Sequence, residues 1–169
     1  MKKQTKYVSA QEAVRHIQSN TRVFIHGSAA TPLQLMQALM ERKAELRNVE
    51  LTSISTLGFD LNDPDMQGHF YINSLFVSES VRQAVNSSRG DYIPVFLSEI
   101  PKLFNEEILP LDVALLHVSP PDKHGYVSLG TSVDVAKAAA FKAKMIIAQI
   151  NPNMPRMHGD AFIPFSMID

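Results

Sequence analysis

Short apolar runs alternate along this chain with stretches in which apolar residues recur every three or four positions. The runs "TRVFIHG" (21–27), "VELTSIS" (49–55), "HFYINSLFV" (69–77), "YIPVFL" (92–97), "LDVALLHV" (111–118) and "KMIIAQI" (144–150) are predicted strands. Ser9 to Glu12 spells S-x-x-E, a capping box in which hydroxyl and carboxylate satisfy free amides, and Ala13, Val14 and Ile17 follow as an apolar stripe. A helix over 10–19 is predicted. Thr31-Pro32 has the residue types of an N-cap and first helical position ahead of Leu35, Met36, Leu39 and Met40. Further helices are expected over 79–88 and 132–142, with a loop at 58–70. This alternation predicts an α/β fold, a mostly parallel open sheet flanked by helices on both faces.

Ligands of such sheets gather beyond the carboxyl ends of the strands, where loops and helix starts converge. Three unusual segments are expected there: "HGSAATP" after the first strand, "SPPDKHGYVSLG" after the strand ending at Val118, and "NPNMPRMHGD" after the one ending at Ile150. Gly27 lacks a side chain, so the backbone amides of Ser28 and Ala29 could approach an oxyanion; a tight strand-to-helix turn explains the same glycine. Asp122 and His124, between Pro121 and Gly125, are equally the residues of a well-made turn.

Composition narrows the chemistry. The chain has 169 residues, 45% hydrophobic and 20% charged, which suits one globular domain. A net charge of −1, with scattered lysine and arginine, gives no attraction to nucleic acid or to an anionic membrane. No cysteine is present, which removes thiolate chemistry and Cys-ligated zinc, and no apolar stretch reaches a membrane-spanning length. A cytoplasmic location is expected. Ser119 and Ser128 have Asp and His nearby but lie outside any G-x-S-x-G elbow, and the six histidines lack the spacing of a metal site. His26 and His117, near strand ends, read as packed or hydrogen-bonded core residues. No metal and no tightly bound cofactor are expected.

The segments "SPPDKHGYVSLGTSVD" and "NPNMPRMHGDAFI", with "VFIHGSAATP" upstream, resemble the N-terminal domain of the acetyl-CoA hydrolase/transferase family, which includes 4-hydroxybutyrate CoA-transferases. The resemblance spans nearly the whole chain. It implies a CoA-transferase-like fold for residues 1–169 and an enzyme family in which a glutamate attacks an acyl-CoA, becomes a glutamyl-CoA thioester, and passes CoA to a carboxylate. In the family that glutamate and most CoA contacts belong to a C-terminal domain, which is expected to be missing from this chain and to be its partner. Glu79, Glu99, Glu106 and Glu107 do not stand in the nucleophile motif, so no catalytic residue is assigned.

By the same resemblance, Gly27 and Ser28, Pro121 and Asp122, His124, Gly125 and Tyr126, and Met154, Pro155, His158 and Gly159 are expected to bind and position substrate. The expected substrates are a coenzyme A thioester and a short-chain carboxylate of the 4-hydroxybutyrate or acetate type. Hydrolysis of acyl-CoA and a non-catalytic binding module of the same fold remain alternatives. Because "DAFIPFSMID" crowds six apolar side chains near the end, an exposed patch and a homo-oligomer are also expected.

Overall fold

Residues 7–169 are described by a computed structural model of the chain. Six strands form one parallel sheet: β1 (Arg22–Ile25), β2 (Val49–Ser53), β3 (Phe70–Ser74), β4 (Gly90–Tyr92), β5 (Val113–Val118) and β7 (Met145–Ile150). Between the last two lies β6 (Tyr126–Ser128), which pairs antiparallel with β8 (Phe162–Pro164) in a separate two-stranded ribbon. The helices are α1 (Ala10–Ala13), α2 (Leu33–Glu41), α3 (Glu79–Asn86), α4 (Ile100–Asn105) and α5 (Ala136–Lys142). Among the described residues, no helix is long and apolar enough to cross a membrane.

The order β4-β3-β2-β1-β5-β7 fixes the site's address. From β1 the chain builds outward through β2, β3 and β4, then returns to place β5 on the other side of β1. Consecutive connections therefore leave β1 and β5 in opposite directions, which opens a crevice beyond their carboxyl ends. Alternation along the strands feeds two cores. Val23, Ile25, Leu51, Ile72 and Leu115 bury against Leu35, Met36, Leu39 and Val81 on one face. Phe24, Ala114, Leu116 and Val118 bury against Phe104, Ala136 and Ala139, with Val127 and Ile163 of the ribbon, on the other.

Several boundaries differ from the sequence-based expectation, each for a local reason. Ser9 caps α1 through its hydroxyl, accepting from the Glu12 amide at 3.1 Å, but the helix tightens to a 3₁₀ turn at Val14–His16 and stops where Ile17 turns extended. The guanidinium of Arg42 takes the carbonyls of Val14 and Ile17, which replaces further helical turns. The predicted strand 92–97 is displaced to Gly90–Tyr92, where β4 pairs with β3, and 93–96 runs on without a ladder. Helix α4 and the ribbon β6–β8 lie in segments with no strong period of their own.

The terminal segment overturns one expectation. Ala161, Ile163 and Ile168 are buried and Phe162, Phe165 and Met167 half-buried, so the apolar residues of "DAFIPFSMID" are largely covered by their own domain rather than exposed. The Asp169 amide donates to the Ile146 carbonyl at 2.9 Å, which lays this segment along β7. The tail therefore presents no fully exposed large apolar side chain. The large exposed apolar residues lie elsewhere, with Phe76, Phe96 and Leu97 59%, 77% and 56% exposed.

Candidate active site at the sheet's switch point

All three segments singled out in the sequence follow strands that are parallel and adjacent, β1, β5 and β7, so they share one rim. The register continues the ladder into that rim: the His26 amide donates to the Leu115 carbonyl, and the Asn151 amide to that of Val118, each at 2.9 Å.

The loop after β1 is more constrained than a glycine turn requires. Gly27 does not adopt a positive φ; Ser28 does, at 53°. What Gly27 permits is close approach, because a Cβ there would stand 3.0 Å from the Ser55 carbonyl oxygen. The neighbouring backbone uses that proximity, the Ser28 amide donating to the same Ser55 oxygen at 2.7 Å. Of the two amides considered as oxyanion donors, that of Ser28 is thus engaged in structure, while the Ala29 amide makes no hydrogen bond among the described residues. Thr31 does not cap α2. Its hydroxyl donates to the Ser28 carbonyl and accepts from the Leu57 amide, and the helix starts at Leu33.

The loop after β5 is a small self-contained construction. Asp122 accepts from the amides of His124 and Tyr126, both at 2.9 Å, while its own amide donates to the Tyr126 carbonyl. Gly125 takes φ 78° at the tip, the conformation a residue without Cβ adopts freely. Pro121 is half-buried, and His124, Gly125 and Tyr126 are exposed at the tip. Asp122 is therefore the organiser of the turn. The Tyr126 amide, joined by the His124 amide and the Arg156 guanidinium, holds its carboxyl below the usual carboxylate range, so it stays ionised. Ser119 and Ser128 also serve the backbone: Ser119 Oγ accepts from the Ser128 amide at 2.9 Å, and Ser128 Oγ from the Gly130 and Met157 amides.

In the loop after β7, Met154 is buried beneath Gly130, whereas Pro155, His158 and Gly159 are exposed. His158 meets the Phe162 ring edge-on at 5.8 Å. The sequence-predicted residues are thus brought together as three neighbouring loops, with Met154 and Asp122 facing inward to hold the loops and His124, Tyr126 and His158 at the surface. Sequence reasoning passed over Arg156, whose guanidinium reaches Asp122, Ser119 and the Pro120 and Tyr126 carbonyls. An arginine between two prolines' loops carries no periodicity, so only the fold reveals its partners.

Beneath the rim, His26 is fully buried and ties three segments. Its Nδ1 accepts from the His117 amide at 3.2 Å, which leaves the proton on Nε2 to donate to the Ser132 carbonyl at 2.6 Å. Burial pushes both His26 and His117 below the ordinary imidazole value of 6.5, the Ser132 carbonyl and Asp134 opposing only part of the effect at His26. An unfolded chain takes up protons near pH 6.5 that the folded chain refuses, so stability is full above that pH and falls below it, by up to about 1.4 kcal/mol per pH unit for His26 until its folded value is reached. Denaturant unfolding from pH 7.5 to 5 should show that slope, reduced in His26→Asn. Equal slopes in both proteins would mean that His26 does not titrate with folding.

The comparisons with known proteins now bear on this rim. The family described as "Acetyl-CoA hydrolase/transferase N-terminal domain" matches residues 2–169. The chain belongs to that family. It is 45% identical over 165 residues to the 4-hydroxybutyrate coenzyme A transferase of Clostridium kluyveri, covering 97% of this chain and 38% of that protein. It is also 45% identical over 161 residues to the succinyl-CoA:acetate/propanoyl-CoA:succinate CoA transferase of Fasciola hepatica, covering 94% and 33%. Among solved structures, RipA from Yersinia pestis superposes with a TM-score of 0.86 at 28% identity, over 96% of this chain and 40% of that one. This acetyl-CoA hydrolase/transferase domain therefore spans between a third and two-fifths of its relatives' length.

Proposed function

We propose that this domain is the substrate-positioning half of a CoA-transferase that moves CoA between an acyl-CoA and a short-chain carboxylate. The observation that carries the reading is the gathering of the three family motifs on one rim at the sheet's switch point. The nucleophile is proposed to be a glutamate of a second domain. Of this chain's own candidates, Glu79 opens α3, Glu99 precedes α4, and Glu106 and Glu107 follow it, all outside the three rim segments.

The chemistry follows from a carboxylate acting on a thioester. The glutamate oxygen attacks the acyl carbonyl and expels CoA thiolate, leaving a mixed anhydride; the thiolate then attacks the glutamyl carbonyl and releases the acyl carboxylate. A second carboxylate reverses both steps. Each addition places negative charge on a carbonyl oxygen, and a donor already aimed at that position lowers the barrier without reorganising. On this rim, the Ala29 amide and the His124 side chain are assigned that role, with Tyr126 and His158 flanking the acyl group.

A protein carrying this domain and the second domain should exchange CoA between acyl-CoA and labelled acetate. Thioester loss without a carboxylate acceptor would instead identify a hydrolase. In the exchanging protein, His124→Ala should lower kcat/KM by roughly ten- to a hundredfold, the loss of one hydrogen bond to a charged group, with Tm unchanged because the ring is exposed. Unaltered kcat/KM would reduce the loop after β5 to scaffold.

A further inference from the structure

Arg156 stands at the meeting point of two rim loops, and its surroundings are more specific than those of a surface cation. One guanidinium nitrogen, Nη1, donates to Ser119 Oγ at 3.2 Å and to the Pro120 carbonyl at 3.4 Å. The other, Nη2, donates to Asp122 Oδ2 and, at 3.3 Å, to the Tyr126 carbonyl. Its Cζ lies over the Phe162 ring of β8, 4.7 Å from the centroid, a cation–π distance. One planar group thus spans both stems of the loop from Ser119 to Tyr126, with an aromatic ring beside it.

The two oxygens of Asp122 divide the work. Oδ1 accepts the amides of His124 and Tyr126, which shapes the tip; Oδ2 accepts Arg156, which ties that shape to the loop after β7. Only the first set is local in sequence. Without the second, the tip would stay tied to β8 through the Gly125 carbonyl and the β6–β8 pairing, but no cation would hold the carboxylate in place, so the turn's own bonds to Oδ1 would open more often.

We infer that Arg156 is a positioning residue, a latch from the loop after β7 that sets the His124–Gly125–Tyr126 tip through Asp122. Calling that tip part of the site rests on the proposed function; the latch itself does not. The chemistry requires a guanidinium. Its fork presents donors in one plane to acceptors on two sides, whereas a lysine ammonium is a compact point charge that can meet one side at a time and does not stack in the same way.

The test uses the isotope-labelled chain without substrate. In Arg156→Ala, amide exchange at His124 and Tyr126 should accelerate at least tenfold while amides of β1 and β5 keep their protection, and the Asp122 carboxyl carbon should titrate at higher pH. Guanidinium ion at low concentration, but not ammonium, should restore both readings, and Arg156→Lys should restore them only in part. Unchanged exchange in Arg156→Ala, or full recovery in Arg156→Lys, would overturn the latch. In the protein with both domains, CoA exchange should fall with Arg156→Ala and return with guanidinium. Undiminished turnover with a released tip would overturn the positioning role, whereas a wild-type protein without transfer would sink the proposed function and leave the exchange result standing.

Discussion

The 169-residue domain assayed by itself should neither transfer CoA nor hydrolyse acyl-CoA. The expectation is complete loss relative to a protein that also carries the second domain, because without a nucleophile no acyl anhydride forms and donors at the rim have no developing charge to stabilise. The structure supports it by where the carboxylates lie. At the rim, Asp122 is committed to two amides and Arg156, and Asp160 pairs with Lys137, while Glu79, Glu99, Glu106 and Glu107 lie outside the rim segments. Incubation with acyl-CoA and acetate, followed by chromatography of the thioesters, measures it. Turnover above a heat-denatured control that disappears on mutating one of these glutamates would place the nucleophile within this domain and overturn the two-domain reading.

The largest stability effect is expected at Gly130. Its φ is 66°, and a Cβ there would run into the Met154 sulfur and stand 2.8 Å from Met154 Cγ. Both causes act on Gly130→Val: a β-branched residue in the left-handed region costs roughly 1–3 kcal/mol, and overpacking a buried contact costs about as much again. The sum is about 2–6 kcal/mol. The methionine is 7% exposed, which limits its room to move aside. Equilibrium denaturation of Gly130→Ala, Met154→Ala and the double variant separates the causes, since removing the methionine side chain relieves the collision and leaves the φ strain. An unchanged midpoint in Gly130→Val would show that the two loops are not packed as described. The contact matters because it joins the segment after β6 to the loop after β7, two of the three segments that share the candidate rim.

What was legible in the sequence follows from short-range physics. Buried parallel strands read as continuous apolar runs such as "VALLHV", and β5 occupies Val113–Val118 within the predicted 111–118. Family motifs were equally plain, because they are strings, and the family match over residues 2–169 agrees with the resemblance seen in them. Their shared rim could be expected only on the condition that β1, β5 and β7 are neighbours. That condition depends on strand order, which no local pattern encodes.

Tertiary structure alone decided the rest. The helix predicted over 10–19 stops early, and Arg42, from beyond α2, takes the carbonyls of Val14 and Ile17. Much of the apolar tail is covered because Ile163 and Ile168 find the second core. Gly27 serves close approach to Ser55, a partner 28 residues away, and the strained backbone sits one residue later at Ser28. Arg156 is the clearest case: its partners lie 30 to 37 residues upstream. The sequence determined the elements and their kinship, since propensity, burial pattern and motif are properties of neighbouring residues. The fold decided which polar groups satisfy one another and which remain to meet a substrate, since hydrogen bonds between distant segments form only once the sheet has brought them together.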